Sequence, residues 1–211
     1  VNTGGKKLDS LHYFPEINST NDWSVSFSVV LNSTNLNAVL DTRSVPNTTN
    51  SFNILITNTY LRFGTGWQGT AQNLLFNYNF PIGSLLHIVL NYNNLTQTFD
   101  LYYNKRKIKE NIHFPFPILN EPLNTSCFGR FAPNNALLGN LMLRDIASFD
   151  KQLTQSEINY IYQTSVLPTT SHEACRFHVP FNNIANKSNN ERVRKTIDTS
   201  SPSDSKLYFN I

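Results

Sequence analysis

Residues 23–30 read Trp-Ser-Val-Ser-Phe-Ser-Val-Val. In a β-strand successive side chains point to opposite faces, so this alternation puts Trp23, Val25, Phe27 and Val29 on a core side and Ser24, Ser26 and Ser28 on the other. Comparable runs, rich in β-branched and aromatic residues, follow at 38–41, 52–57, 60–63, 73–78, 87–92, 98–103 and 136–143. Turn chemistry separates them at Pro46-Asn-Thr-Thr-Asn50, Asn58-Thr59, Gly64-Thr-Gly66, Pro81-Ile-Gly83 and Asn93-Asn94. Tyr92 to Phe99 and the stretch around Tyr103-Asn-Lys-Arg-Lys107 are spaced as hairpins. No βαβ pattern occurs, so the fold class expected is all-β and antiparallel.

One helix interrupts this succession. Thr154-Gln-Ser-Glu157 fits a capping box, in which hydroxyl and carboxylate each satisfy an end amide, with Ile158, Ile161 and Tyr162 at helical spacing and Pro168 closing it. Beyond lie a linker-like Thr169-Thr-Ser-His172 and a polar stretch, 182–205, carrying Arg192, Arg194 and Lys195. Two apolar islands, 176–181 and 206–211, read as single strands that need a sheet to join. The expected division is a domain over 1–167 and a tail over 168–211 that either completes it or opens a following repeat, the repeat being preferred. Because the chain opens on Val1, it is expected to be a piece of something longer.

Three segments resemble the laminin G-like domains of the concanavalin A-like lectin/glucanase superfamily. They are Asn-Asp-Trp-Ser-Val-Ser-Phe-Ser-Val (21–29), the pair His-Ile-Val-Leu-Asn-Tyr (87–92) and Phe-Asp-Leu-Tyr-Tyr-Asn-Lys-Arg-Lys (99–107), and the closing stretch 137–158, which ends in Leu-Thr-Gln-Ser-Glu-Ile. The likeness covers 8–165, with Asn104-Lys105 standing where the family usually has an Asn-Gly turn. It implies a two-sheet antiparallel β-sandwich, a jelly roll, with one short C-terminal helix sealing an end. It also implies a non-catalytic glycan- or receptor-binding module, as in adhesins or phage fibres. The alternative is a structural building block of a virion or surface assembly.

Catalysis is disfavoured by what the central strands lack. Glycoside hydrolases of this fold need paired carboxylates, yet no Asp or Glu occurs between Asp41 and Asp100. Asp145 and Asp150 are the nearest on the final strands. There is no Gly-x-Ser-x-Gly elbow, and the five histidines show neither metal nor triad spacing. His87, opening a core strand, reads as packed or hydrogen-bonded. No enzyme is expected.

Lectin sites combine an aromatic platform for the sugar's CH face with amides and charged groups for its hydroxyls. Tyr60-Leu-Arg-Phe-Gly-Thr-Gly-Trp-Gln68 supplies such a set: Tyr60, Arg62, Trp67 and Gln68, with Asp41 and Arg43 ending a neighbouring run. The competing reading has Trp67 capping the core and Arg43 pairing with Asp41. No cofactor is expected beyond a structural calcium ion, as some laminin G-like domains hold, for which Asp22, Asp100 and Asp145 are the candidate ligands. Lys105-Arg-Lys-Ile-Lys109 is a basic hairpin, suited either to sulfated glycans or to blunting a sheet edge.

The net charge of +3, from 17 basic and 14 acidic residues, sets up no field that argues for nucleic acid. No apolar run reaches the ~20 residues of a membrane span. The chain carries 30 Asn and 38 Ser plus Thr against 15% charged residues, the surface chemistry of many secreted and virion proteins. That richness also yields six Asn-x-Ser/Thr sequons where composition predicts roughly five, so they carry no argument. Cys127 and Cys175 leave a disulfide and two thiols equally open. The expected partners are a cell-surface glycan or protein receptor and neighbouring domains or subunits, in an extracellular, cell-surface or virion setting.

Overall fold

The computed structural model describes residues 8–10, 14–42, 51–67, 70–118, 126–128 and 141–180. Their strands form two antiparallel sheets of six. The first runs, in spatial order, β1 (Leu8–Ser10), β10 (Ser126–Phe128), β3 (Asn37–Asp41), β4 (Phe52–Ile56), β5 (Tyr60–Trp67) and β6 (Thr70–Asn77). The second runs β12 (Cys175–Pro180), β11 (Leu141–Phe149), β2 (Trp23–Leu31), β7 (Leu85–Asn93), β8 (Thr98–Tyr103) and β9 (Arg106–His113). The crossovers that place β2 between β11 and β7, and β3 beside β10, make this a jelly-roll sandwich.

The alternation of β2 does what its period demands: Trp23, Val25, Phe27 and Val29 are all buried between the sheets. Trp23 meets Phe63 of the opposite sheet at 5.8 Å between ring centroids, and Phe99 packs on Phe63 at 4.9 Å and on Phe76 at 6.0 Å. The serine face of β2 is not open to water, however. Ser24 and Ser26 are buried, because a second apolar cluster of Val89, Tyr102, Ala147, Phe149, Leu153, Ile158 and Ile161 seats a helix on that side. Their hydroxyls are satisfied internally, Ser24 donating to Asn91 Oδ1 at 2.7 Å and Ser26 lying 3.0 Å from His87 Nε2.

That helix, α1 (Gln155–Thr164), opens with the expected capping box: Glu157 N–H donates to Thr154 Oγ1 at 3.3 Å, and Thr154 N–H to Glu157 Oε2 at 2.9 Å. It stops where Ser165 turns left-handed, at φ 54°. A second helix, α2 (Thr169–His172), replaces the expected linker, so the sandwich carries two short helices rather than one.

Two expectations need correction. Gly64-Thr-Gly66 is not a turn: β5 continues through both glycines to Trp67, which pairs with Thr70 of β6. Gly64 is required by close approach, since a Cβ there would meet Asn73 Oδ1 at 2.8 Å and Asn53 Nδ2 at 2.9 Å. The final strand, read at 136–143, spans Leu141–Phe149, and 136–140 lie outside the described residues.

The first tail island joins as β12, with Phe177 buried against Phe14 at 5.0 Å between ring centroids. The second island, at 206–211, and the Pro46–Asn50 turn lie outside the described residues. The hairpin between β8 and β9 turns through Asn104 (φ 44°) and Lys105 (φ 64°), the paired left-handed conformation of a two-residue loop. Cys175 is a free thiol whose burial pushes it up to about 12. No helix among the described residues is long and apolar enough to cross a membrane.

Candidate binding face

On β5, Leu61 and Phe63 point into the core, so Tyr60, Arg62 and Gly64 belong to the outer face of the first sheet. Register then builds that face in rows. Asp41 of β3 pairs with Asn53 of β4, which pairs with Gly64 of β5 and through it with Asn73 of β6. The next row is Ala38, Leu55, Arg62 and Leu75, and beyond it Tyr60 faces Asn77. The face is closed at one side and open at the other: Asp41 and Leu55 are fully buried, Arg62 is half-buried, and Leu75 is 51% exposed beside an exposed Asn73.

The structure thus brings Asp41, Arg62 and Tyr60 onto one face, with Asp41 and Arg62 two strands and one row, or about 12 Å, apart. It does not unite the two aromatics of the sequence reading. Trp67 pairs with Thr70 at the far end of β5, seven residues or about 23 Å from Tyr60. They belong to opposite ends of a strand instead of one Gly-rich loop. Arg43 and Gln68 lie outside the described residues.

Between Asp41 and Arg62 the sequence reading missed the two asparagines that flank Gly64. Asn53 is only 5% exposed, its Oδ1 has no hydrogen-bond partner, and it approaches the point where a Gly64 side chain would stand from one strand as Asn73 approaches it from the other. The available sign was an amide interrupting the apolar run Phe52-Asn-Ile-Leu-Ile56.

A second polar cluster lies on the outer face of the second sheet, under α1. Asp145, Ser28 and His87 stand side by side across β11, β2 and β7, with Ser26 and His178 nearby, around a cavity of about 20 Å³. That is room for one water. His87 Nδ1 and Asp145 Oδ1 have no hydrogen-bond partner, so no carboxylate orients the imidazole as a nucleophilic site would require. Burial pushes His87 down to about 4 and raises the Asp145 carboxyl, so the site disfavours charge on both. His87 is a packed, hydrogen-bonded histidine, as its position in the sequence implies.

Two carboxylates do come close elsewhere. Asp100 and Glu110 both bind Lys107 Nζ, at 2.8 and 2.9 Å, and hold its ammonium well above the usual lysine range. The pair is bridged by a cation, and Glu110 is 62% exposed, so this is an ion-paired strand surface and not the acid and base of a glycosidase cleft. The same contacts occupy part of the basic hairpin, whose Lys105 also lies 5.6 Å from the Tyr162 ring centroid.

The calcium candidates do not converge. Asp22 accepts from Asn94 N–H at 2.9 Å and Gln152 Nε2 at 3.0 Å, Asp100 from Asn111 N–H at 2.8 Å, and Asp145 lies three strands from Asp100. Among the described residues no three His, Cys, Asp or Glu side chains are grouped to hold a metal ion.

No protein-family model and no curated relative matches the chain. Solved structures do match its fold. The CBM40 of the Ruminococcus gnavus IT-sialidase, solved bound to α2,3-sialyllactose, superposes with a TM-score of 0.53 at 11% identity, over 67% of this chain and 83% of that one. A native heptameric SAP-like pentraxin from Limulus polyphemus gives 0.52 at 12% identity, over 74% and 75%. The binding domain of botulinum neurotoxin serotype D gives 0.50 at 20% identity, over 69% of this chain but only 36% of that one, so the likeness spans about a third of the toxin domain. At these identities the likeness establishes the fold alone: a jelly-roll β-sandwich.

Proposed function

We propose that the chain is a non-catalytic binding module that recognises a cell-surface glycan or protein receptor through the outer face of its first sheet. The observation that carries this is the face itself: Asp41, Asn53, Asn73, Arg62 and Tyr60 are arranged in register beside an exposed Leu75, polar groups next to an apolar surface. Two of the matching structures, a sialidase CBM40 bound to sialyllactose and a toxin binding domain, support the same reading. Within it, Asp41, Tyr60 and Arg62 supply the contacts, and Trp67, about 23 Å along β5 from Tyr60, is left outside it. The laminin G-like relation and an extracellular, cell-surface or virion setting belong to the same proposal.

The test is a glycan array of neutral, sialylated and sulfated structures, probed with the chain and with Arg62→Ala and Tyr60→Ala variants. Binding weakened about tenfold or more by either variant, a loss of about 1.4 kcal/mol, supports the proposal. Silence on the array and on cell surfaces sinks it.

One observation favours a structural building block instead. Among the described residues β6 is the edge of the first sheet; it carries no Lys, Arg, Asp, Glu or Pro over Thr70–Asn77, and natural edges that avoid pairing carry such residues. Assembly through that edge would show as a concentration-dependent rise in mass that a Gln72→Lys substitution abolishes.

A further inference from the structure

One side of the sandwich is bounded by β6 of the first sheet and β9 of the second. Phe76 of β6 packs on Phe99 at 6.0 Å between ring centroids, and Ile112 of β9 pairs with Phe99 in register, so both strands border the same stretch of core. Phe76 and Phe99 are fully buried there, but Leu74 of β6 and Ile108 and Ile112 of β9 pack against the core while only half-buried. Apolar surface is left along a seam between the two strands.

The seam has one guarded edge and one open edge. β9 carries Arg106, Lys107, Lys109 and Glu110, charges that oppose the pairing of another strand. β6 carries no charge and no proline, and among the described residues it pairs with β5 alone. In an antiparallel ladder alternate residues turn their N–H and C=O away from the partner, so β6 presents such groups to the open side.

An occupant that covers the seam must bring a strand whose apolar side is uncommitted. The β6 of a second copy does not, because its Phe76 is buried in its own core. Residues 206–211, Lys-Leu-Tyr-Phe-Asn-Ile, do: strand alternation puts Leu207, Phe209 and Ile211 on one side and Lys206, Tyr208 and Asn210 on the other. The other apolar island of the same tail already joins a sheet, as β12. The intervening residues, 181–205, can reach at most about 80 Å, against about 24 Å across the strands from β12 to β9 and about 10 Å between sheets.

We infer that residues 206–211 add to β6 as a further strand of the first sheet, with Leu207, Phe209 and Ile211 covering Leu74, Ile108 and Ile112. An edge so covered is closed to assembly. The other side of the added strand carries Lys206, Tyr208 and Asn210 onto the outer face beside Leu75, widening it with an aromatic ring; only this consequence rests on that face being a binding face.

The experiment is amide hydrogen exchange, followed by NMR, on the chain and on its Phe209→Asp and Phe209→Leu variants, with mass measured by light scattering. The expected result is a monomer in which the β6 amides turned away from β5 exchange about tenfold or more slowly than in Phe209→Asp. Phe209→Leu should keep that protection. The central strands β2 and β7 should exchange alike in all three, which shows the variants folded. Equal exchange of β6 in the chain and in Phe209→Asp overturns the inference. A protected dimer that Phe209→Asp converts to a monomer overturns it too, since the strand then comes from a second copy. Exchange is read without a ligand, so its outcome is separate from that of the glycan array.

Discussion

Glu16 is a carboxylic acid placed where a carboxylate is poorly served. It is 3% exposed, Ser148 Oγ donates to its Oε1, and its Oε2 has no partner. Burial pushes it up from 4.5 to about 7, and Asp150 adds to that, while the Ser148 contact, its own backbone N–H and Arg176 oppose it. A raised carboxyl favours the protonated form in the folded state. Its contribution to stability is therefore complete below pH 4.5 and lost as pH rises through about 7, a span worth about 3 kcal/mol. His87 has the opposite sign. Burial lowers it from 6.5 to about 4, so the stability it confers is present above 6.5 and lost as pH falls through 4. Glu16→Gln should match the parent protein near pH 4 and gain about 2–3 kcal/mol over it near pH 8. Urea melts at both pH values check this, and an advantage equal at the two would dismiss Glu16 as the source.

At the scale of elements, Glu157 holds three pieces together. It closes the cap of α1, accepts from Thr170 and Ser171 of α2 at 3.1 and 2.9 Å, and receives Lys151 Nζ at 2.6 Å. Burial alone would raise its carboxyl, but the bonds from Lys151, Thr154 and Ser171 outweigh it and hold Glu157 down at about 2. Glu157→Ala is expected to cost about 3 kcal/mol in urea denaturation against about 1 for Thr154→Ala, because only the first also releases α2 and leaves Lys151 unpaired. Equal losses would reduce Glu157 to a cap. The cap was legible because a capping box is local, four residues that contact one another. The α2 contacts were not, since nothing local marks Ser171 as a partner. The glycines of β5 were misread for a similar reason. Glycine serves turns and close approaches alike, and only the register that sets Asn53 and Asn73 beside Gly64 separates the two. Asp41, Arg62 and Tyr60 were legible as polar and aromatic candidates on neighbouring runs. Asn53 and Asn73 were hidden among 30 asparagines until strand pairing put them on either side of Gly64.

For the whole molecule the question is what joins two sheets that Cys175, a free thiol, does not link. The answer is an aromatic cluster centred on Phe63. Its ring stands 5.8 Å from Trp23, 4.9 Å from Phe99, 5.7 Å from Phe114 and 6.3 Å from Phe52, so it is a first-sheet side chain whose contacts include β2 and β8 of the second. Phe63→Ala removes those contacts and leaves a void that rings fixed on two separate sheets cannot both move to fill. A loss of about 3–5 kcal/mol follows. Tyr60→Ala, three residues away on the same strand but on the outer face, should cost under about 1 kcal/mol. This contrast matters for function, because it separates the face that recognises from the face that folds. Chemical denaturation of the two variants is the check. If Tyr60→Ala destabilised as much as Phe63→Ala, the outer face would be part of the core, and a ligand could not be read there.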